Sequence, residues 1–357
     1  MKKLRTAAVG LGWVCVHRHL PVMEQGKDYE VIGVIDRSAG RAREVMKRRG
    51  YQHFAETEVL STVDWLRDVD IITVATAPMS HYSLIRQALE LGKHVLTEKP
   101  FTMSVAEGEE LVQLARTKGL CLAIVHNFQF ARSTKELFRE IREGKIGAIR
   151  SVNAIQIGNP QRRLPTWYDT LPLGLMYDES PHLLYLTRAV AGEIQLLRSL
   201  VHKSSVGLNT PARMDVFFES PQVHGPVTLS CNFESPLSEW CLMVFGEHKL
   251  GIVDVFRDIY ISLPNDRSHE TAEVFRTSLF AAGQHFWQHV VSGIPHLRGR
   301  LFYGNDEVFS RFADGIRGIS ERLLPIGPES ALAVLKLQHA IIDAQERVGN
   351  GISKCGS

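Results

Sequence analysis

A short apolar run, Ala7–Gly10, passes straight into Gly10-Leu11-Gly12-Trp13-Val14-Cys15, and a second run, Val31–Asp36, ends on an acid 21 residues past Cys15. A glycine turn caught between a strand and a helix start lets backbone amides face an anion. An acid closing the next strand can accept hydrogen bonds from a ribose. That pairing commits the chain to β-α-β order. Ile71–Ala75, His94–Thr97 and Cys121–His126 continue the strand series, with amphipathic stretches such as Ser80–Leu91 and Ser104–Lys118 between them. Strands apolar along their whole length and separated by helices imply a parallel, doubly wound sheet covered on both faces.

The pattern changes after Ser133–Gly144, which reads as a helix. Ile149–Ile157, Gln195–His202, Arg213–Glu219, Val227–Phe233, Cys241–Phe245, Gly251–Val255 and Ile259–Leu263 read as short strands with few helices among them. Three late helices follow, around Leu279–Ser292, Asp306–Ile319 and Pro328–Arg347. At 357 residues two domains are expected: a Rossmann domain over 1–126, and over 127–357 an α+β domain on a mixed, mostly antiparallel open sheet. The helix over 328–347 is a candidate to pack back on the first domain.

Composition narrows the partners. Hydrophobic residues make up 44% and charged residues 22%, with a net charge of +2, which gives no electrostatic case for nucleic acid or an anionic membrane. No uncharged apolar stretch approaches the length of a bilayer span. The basic start and the apolar run after it resemble a secretory signal, but the run breaks at His17-Arg18-His19 without a small-residue cleavage site. The cysteines, Cys15, Cys121, Cys231, Cys241 and Cys355, are odd in number and widely spaced, which favours a reducing, cytoplasmic setting over a disulfide framework. His285 and His289 have helical i, i+4 spacing but no third ligand, so no metal is expected.

The turn departs from G-x-G-x-x-G/A at its last position, where Cys15 stands. Asp36 accepts ribose hydroxyls and repels a 2′-phosphate in this reading, favouring NAD over NADP. Arg37 beside it can stack on adenine or pair with that phosphate, which keeps NADP as the second candidate. The plainer readings are a strand-end turn acid for Asp36 and a solvated charge for Arg37.

Spanning the fourth strand of this reading stands Gly92-Lys93-His94-Val95-Leu96-Thr97-Glu98-Lys99-Pro100. Upstream lies Thr76-Ala77-Pro78-Met79-Ser80-His81. Downstream lie Asn127, Gly144-Lys145-Ile146-Gly147-Ala148-Ile149-Arg150 and Asp178-Glu179-Ser180-Pro181-His182. Together they resemble the glucose–fructose oxidoreductase/inositol dehydrogenase/MocA (Gfo/Idh/MocA) family over nearly the whole chain. Met79, Ser180 and Gln129 depart from residues common there (Asn, Gly and Arg), which bears on the cofactor contacts and on the substrate pocket. The resemblance implies a cofactor site drawing on Gly10, Leu11, Gly12, Trp13, Val14, Asp36, Arg37, Thr76, Pro78, His81, Glu98, Lys99 and Asn127. It implies assembly as a homodimer or homotetramer through the outer face of the second sheet.

It further implies hydride exchange between nicotinamide and a carbon bearing a hydroxyl or carbonyl, on a sugar, a cyclitol or a sugar derivative. That chemistry needs a proton acceptor and a partner for the developing alkoxide. Lys99, just past a strand's carboxyl end, fits the partner, with Glu98 beside it and Pro100 fixing the turn. His182 fits the proton carrier. Ser180-Pro181 predicts an N-cap and first helical residue, with Leu183–Val190 as the helix and Gly192 near its end. This puts His182 in the first turn, where the dipole favours neutral imidazole, and Asp178 just outside. Asp178 then binds a neighbouring hydroxyl or orients His182. Lys99, Asp178 and His182 are expected to converge at the nicotinamide. Read alone, they are a loop lysine, an alternative N-cap and a helix-end histidine.

In the Pro-bounded loop before them, Arg162 or Arg163 can grip a carboxylate or phosphate, and Trp167 and Tyr168 can stack on a sugar. Solvated arginines and an anchoring Trp explain the loop equally well. Two rival functions remain: a non-catalytic regulator of the same fold, and an enzyme using tightly held NAD transiently in lyase or glycosidase chemistry.

Overall fold

Ile71, Ile72, Thr73 and Val74 are all fully buried, so this strand is covered on both faces, as the sequence pattern requires. In the computed structural model, which describes residues 2–299 and 301–352, it is one of six parallel strands. They are β1 (Leu4–Val9), β2 (Tyr29–Ile35), β3 (His53–Ala55), β4 (Ile71–Val74), β5 (His94–Thr97) and β6 (Leu122–Ile124), in the order β3-β2-β1-β4-β5-β6. The order reverses between β1 and β4, and the carboxyl ends there define the crevice where such sheets bind ligands. The short β3 was not anticipated from sequence; its three residues are each only half-buried, so no continuous apolar run marks it.

Helical backbone resumes at Trp13, passes through a π-helical turn at Cys15–His19 and continues as α1 (Leu20–Gln25). α2 (Arg41–Arg49), α3 (His81–Glu90) and α4 (Val105–Lys118) follow. At the start of α4 the Ser104 hydroxyl accepts from the Glu107 N–H, and the Glu107 carboxylate accepts from the Ser104 N–H. This capping box closes two of the helix's first donors.

The later strands alternate instead. β9 and β10 bury every second side chain, the mark of a sheet with one covered face. After α5 (Arg132–Arg142) come β7 (Ile149–Ile157), α6 (Leu175–Ala191), β8 (Gln195–His202), β9 (Arg213–Glu219), β10 (Val227–Asn232), β11 (Glu239–Gly246), β12 (Lys249–Asp254) and β13 (Ile259–Pro264). They form a seven-stranded sheet in the order β13-β12-β11-β7-β10-β9-β8, antiparallel except for the β7–β10 pair. The long α7 (Thr271–Leu297), then α8 (Asn305–Ile316) and α9 (Pro328–Ile352) complete the described elements.

The chain divides into two units: residues up to Asn127 with Gly304–Lys336, and Phe128–Tyr303 with the chain from Leu337 onward. The sequence reading drew one boundary, at 126/127. The first unit also takes in α8 and the start of α9. The Tyr29 hydroxyl donates to the Phe309 carbonyl, Leu332 and Leu335 lie against Gly108, and Lys336 pairs with Glu109. Such contacts join segments far apart in sequence and leave no local signal. Cys15, Cys121, Cys231 and Cys241 are free thiols; Cys355 lies outside the described residues.

Candidate functional site

Each unit carries one cluster. In the first, three loops meet at the carboxyl ends of the adjacent strands β1, β4 and β5. Gly10 has φ +84°, and a Cβ there would lie 2.4 Å from Thr76 Cγ2 and 2.8 Å from the Ala75 backbone, so only glycine fits. Gly12 is different: the nearest atom to a Cβ there is the Ala75 oxygen at 4.0 Å. The chain's own packing does not require that glycine, whereas close approach of a pyrophosphate to the backbone would. Cys15, in place of the third small residue, is fully buried, and burial, with the Asp36 and Glu98 charges, pushes its thiol up to about 12. It is packing, not a nucleophile.

Asp36 is only 5% exposed. One carboxylate oxygen accepts from the Leu11 N–H at 2.8 Å and the other from the Ser38 N–H at 2.8 Å. The acid therefore shapes the glycine turn itself; Oδ2 also faces Arg41 Nη1 at 3.5 Å, and Oδ1 keeps acceptor capacity for a ribose hydroxyl. Arg37 points outward, 71% exposed, and pairs with Glu58. Trp13 is exposed and stacks on His17, with the Arg18 guanidinium over its ring.

Beyond β4, the Ser80 hydroxyl donates to Thr76 Oγ1 at 2.8 Å, and Pro78 is buried. His81 is fully buried, with Nδ1 2.7 Å from the Pro100 carbonyl and Nε2 3.2 Å from the Thr76 carbonyl. Two facing carbonyls favour imidazolium. Burial outweighs them and lowers the histidine's pKa, so the shorter contact is the donated hydrogen bond. Both ring nitrogens thus face the chain's own carbonyls, and His81 ties the Thr76 loop to Pro100, whose peptide with Lys99 is cis. Asn127 is buried at the end of this unit.

Glu98 and Lys99 leave β5 together, and the Lys99 N–H donates to Glu98 Oε2 at 3.2 Å. The other oxygen meets a residue that sequence reasoning passed over. His19 Nε2 lies 2.8 Å from Glu98 Oε1, and its ring is wholly buried. Burial alone would raise the Glu98 carboxyl. The His19 hydrogen bond and charge, with Lys99, more than offset it and hold Glu98 below the usual carboxylate range. In the sequence His19 stood out only as a break in an apolar run.

In the second unit the expected helix start is corrected. The helix does not begin at Ser180-Pro181; α6 runs from Leu175, and Pro181 lies inside it. Asp178 is in its first turn and His182 one turn further along the same face, so the dipole argument for His182 no longer applies. Two distant residues make this possible. The Leu175 N–H donates to Thr210 Oγ1 at 3.0 Å, replacing a local cap. Pro181 has no N–H for the Tyr177 carbonyl one turn back, and Gln338 Nε2 donates to it instead at 2.8 Å.

His182 is 7% exposed. Phe128 and Trp240 pack on its ring, with centroids at 4.8 and 5.3 Å. Its Nδ1 is 2.9 Å from the Tyr185 hydroxyl, which also accepts from the Phe128 N–H at 3.0 Å. An Nδ1–H donated to Tyr185 makes Nε2 the basic nitrogen and serves the ring equally well once Nε2 is protonated. Tyr185 was legible only after the helix register was known, since it sits three residues on from His182.

Asp178 is half-buried. Its neighbour Glu179 is buried and takes Arg162 Nη2 at 2.5 Å and Gln156 Nε2 at 2.7 Å. The Arg162 charge is therefore matched inside the chain. Arg163 is exposed, and Trp167 and Tyr168 are half-buried. Leu164, Tyr168 and Leu175 help to line a cavity of about 190 Å³ with Leu208 and Phe233. Among the described residues no group of His, Cys, Asp or Glu is placed to hold a metal, and no helix is long and apolar enough to cross a membrane.

A glycine turn shaped by Asp36 at the switch point of a parallel sheet defines a dinucleotide-binding domain. Residues 4–126 match the Gfo/Idh/MocA family model, described as oxidoreductase family, NAD-binding Rossmann fold. An uncharacterized oxidoreductase of Escherichia coli, YhhX, is 33% identical over 153 residues, 42% of this chain and 43% of that protein. The dTDP-3,4-didehydro-2,6-dideoxy-α-D-glucose 3-reductase of Streptomyces antibioticus is 31% identical over 156 residues, 43% and 45% of the two chains. The chain spans about half the length of the curated relatives it matches. Across both units the fold is that of GenD2 from gentamicin A biosynthesis, solved in complex with NAD. The TM-score is 0.75 at 18% identity, covering 97% of this chain and 95% of that one. NAD is the cofactor these findings support, and the Gly10–Gly12 turn fits it.

Proposed function

We propose that the protein is an NAD-dependent dehydrogenase or reductase acting on a secondary hydroxyl or carbonyl of a sugar derivative. The observation that carries this reading is the meeting of the Gly10 turn, the Thr76 loop and the Glu98-Lys99 turn at the carboxyl ends of three neighbouring strands. Bound NAD supplies the nicotinamide carbon that gives or takes hydride. Trp13, Val14 and the glycine turn offer main-chain donors to the pyrophosphate, and Asp36 accepts from the ribose. Lys99 steadies the substrate oxygen as negative charge develops there. His182 Nε2 takes the hydroxyl proton in oxidation and returns it in reduction, with Nδ1 on Tyr185 throughout. Asp178, on the same helical face, holds a neighbouring hydroxyl.

The Streptomyces relative's substrate makes nucleotide sugars the first class to screen. Arg162 is held by Glu179 within the chain, and Arg163 beside it is exposed. Exposed Leu197, Leu200 and Phe217 on the outer sheet face support assembly with further copies of the chain, as do Phe275, Phe286 and Trp287 on α7. Light scattering on the purified protein tests that.

The direct test follows NADH absorbance with sugars, cyclitols, uronates and nucleotide sugars, using NAD and NADP in parallel. Lys99→Ala should lower turnover about 10²–10³-fold with NADH binding retained. Full activity in that variant refutes the role given to Lys99. Turnover of a substrate without net NADH release points to the transient-NAD alternative.

A further inference from the structure

His19 stands apart from the residues that the dinucleotide reading uses. It lies on the helical stretch that begins at the glycine turn, at the end of the π-helical segment Cys15–His19, where the Leu20 N–H reaches back to the Cys15 carbonyl. π-turns of this kind are frequent at functional sites because they re-aim a side chain without ending the helix. Here the ring is aimed at the Glu98 carboxylate, 79 residues away in sequence, and the same carboxylate accepts the Lys99 N–H. Among the described residues His19 Nδ1 is buried without a hydrogen-bond partner, and the ring edge packs on Phe309. The contact with Glu98 is thus the polar interaction that orients the ring.

We propose that His19 is a positioning residue for Lys99: it fixes the Glu98 carboxylate beneath the Lys99 peptide and couples the helix after the dinucleotide turn to the catalytic turn. The inference rests on the function proposed above. A largely buried carboxylate, here 12% exposed, is kept charged by the donors around it. The groups acting on Glu98 are His19 from the helix and Lys99 from its own turn; Cys15 and His81 in turn sense its charge. Of these, His19 is the partner that holds an oxygen from another element. Without it, burial lifts the Glu98 carboxyl, the anion is lost at higher pH than before, and the hydrogen bond that Glu98 accepts from the Lys99 N–H weakens.

The experiment compares wild type, His19→Ala and His19→Gln across pH, with NADH binding read separately by fluorescence. The expected result for His19→Ala is a fall in kcat of about 10²-fold near neutral pH, as for a misplaced catalytic group, with the acid limb of the profile moved to higher pH. His19→Gln keeps an amide donor at similar reach and should recover most of the rate and the wild-type limb. An acid limb unmoved in a folded His19→Ala protein overturns the proposal. Should His19→Ala fail to fold, nitrogen NMR of the histidines decides. In the unliganded wild type His19 carries its proton on Nε2, and Glu98→Gln displaces that resonance; no displacement overturns the proposal. An inactive Lys99→Ala with an unaltered His19→Ala sinks this inference alone, whereas an active Lys99→Ala sinks the functional reading beneath it.

Discussion

Glu98 and Lys99 follow a strand paired on both sides, in a turn whose short motif is continuous in sequence. Asp178 and His182 ride a helix whose first N–H is closed by Thr210 and whose proline-broken middle is closed by Gln338. The first arrangement is written locally: glycine where φ is positive, an acid at a strand end, a lysine beside its glutamate. The second depends on partners that the chain delivers only after it has folded. What differs is the distance over which backbone groups find their hydrogen bonds. A central parallel strand is satisfied by its neighbours in the sheet, while a helix with an internal proline must borrow a donor.

That contrast can be broken most forcefully at Gly10. Gly10→Ala adds left-handed strain and overlap with the Thr76 side chain and the Ala75 backbone. At about 1–3 kcal/mol for each, the expected loss of stability is about 2–6 kcal/mol in denaturant melts, with NADH binding lost. A stable Gly10→Ala protein that still binds NADH means that the turn is less constrained than its geometry requires.

The next effect belongs to the second unit. Gln338→Ala removes the amide donor to the buried Tyr177 carbonyl and to the Ser180 hydroxyl. It should cost about 1–3 kcal/mol and lower turnover while leaving NADH affinity in place. Loss of NADH binding in this variant would erase the distinction between the two halves. Smallest is Tyr185→Phe, which keeps the ring and removes the partner of His182 Nδ1 and of the Phe128 N–H. We expect kcat to fall about tenfold, or ~1.4 kcal/mol in the barrier, with KM nearly unchanged. A rise in KM alone would move Tyr185 from orienting the histidine to binding substrate.

Legibility followed the same division. Apart from β3, the strands of both sheets were readable because burial on both faces leaves continuous apolar runs and burial on one face leaves alternation. β9 and β10 show the alternation directly. The start of α6 was misread because Ser180-Pro181 carries a strong local start signal, whereas Gly174 before Leu175 carries none. Gly174 sits at positive φ and is pressed against Thr210, a relation 36 residues apart that no periodicity reveals. His19 was hidden for a related reason: a histidine four residues past the glycine turn has no meaning until β5 is laid beside β4. Asp36 and Lys99 drew notice because each belongs to a pattern continuous in sequence, the strand end Val31–Asp36 and the run Glu98-Lys99-Pro100.

The bond from Gln338 to Tyr177 has a bearing on how the chain tolerates shortening. A protease cut or stop codon just ahead of residue 338 deletes no residue assigned to the chemistry. It would nonetheless remove the donor that a proline in α6 makes necessary, and the turn bearing Asp178 and His182 would fray. Such a truncated protein would still load dinucleotide and fail at catalysis, so that damage at the far end of the polypeptide would be mistaken in an assay for an active-site lesion.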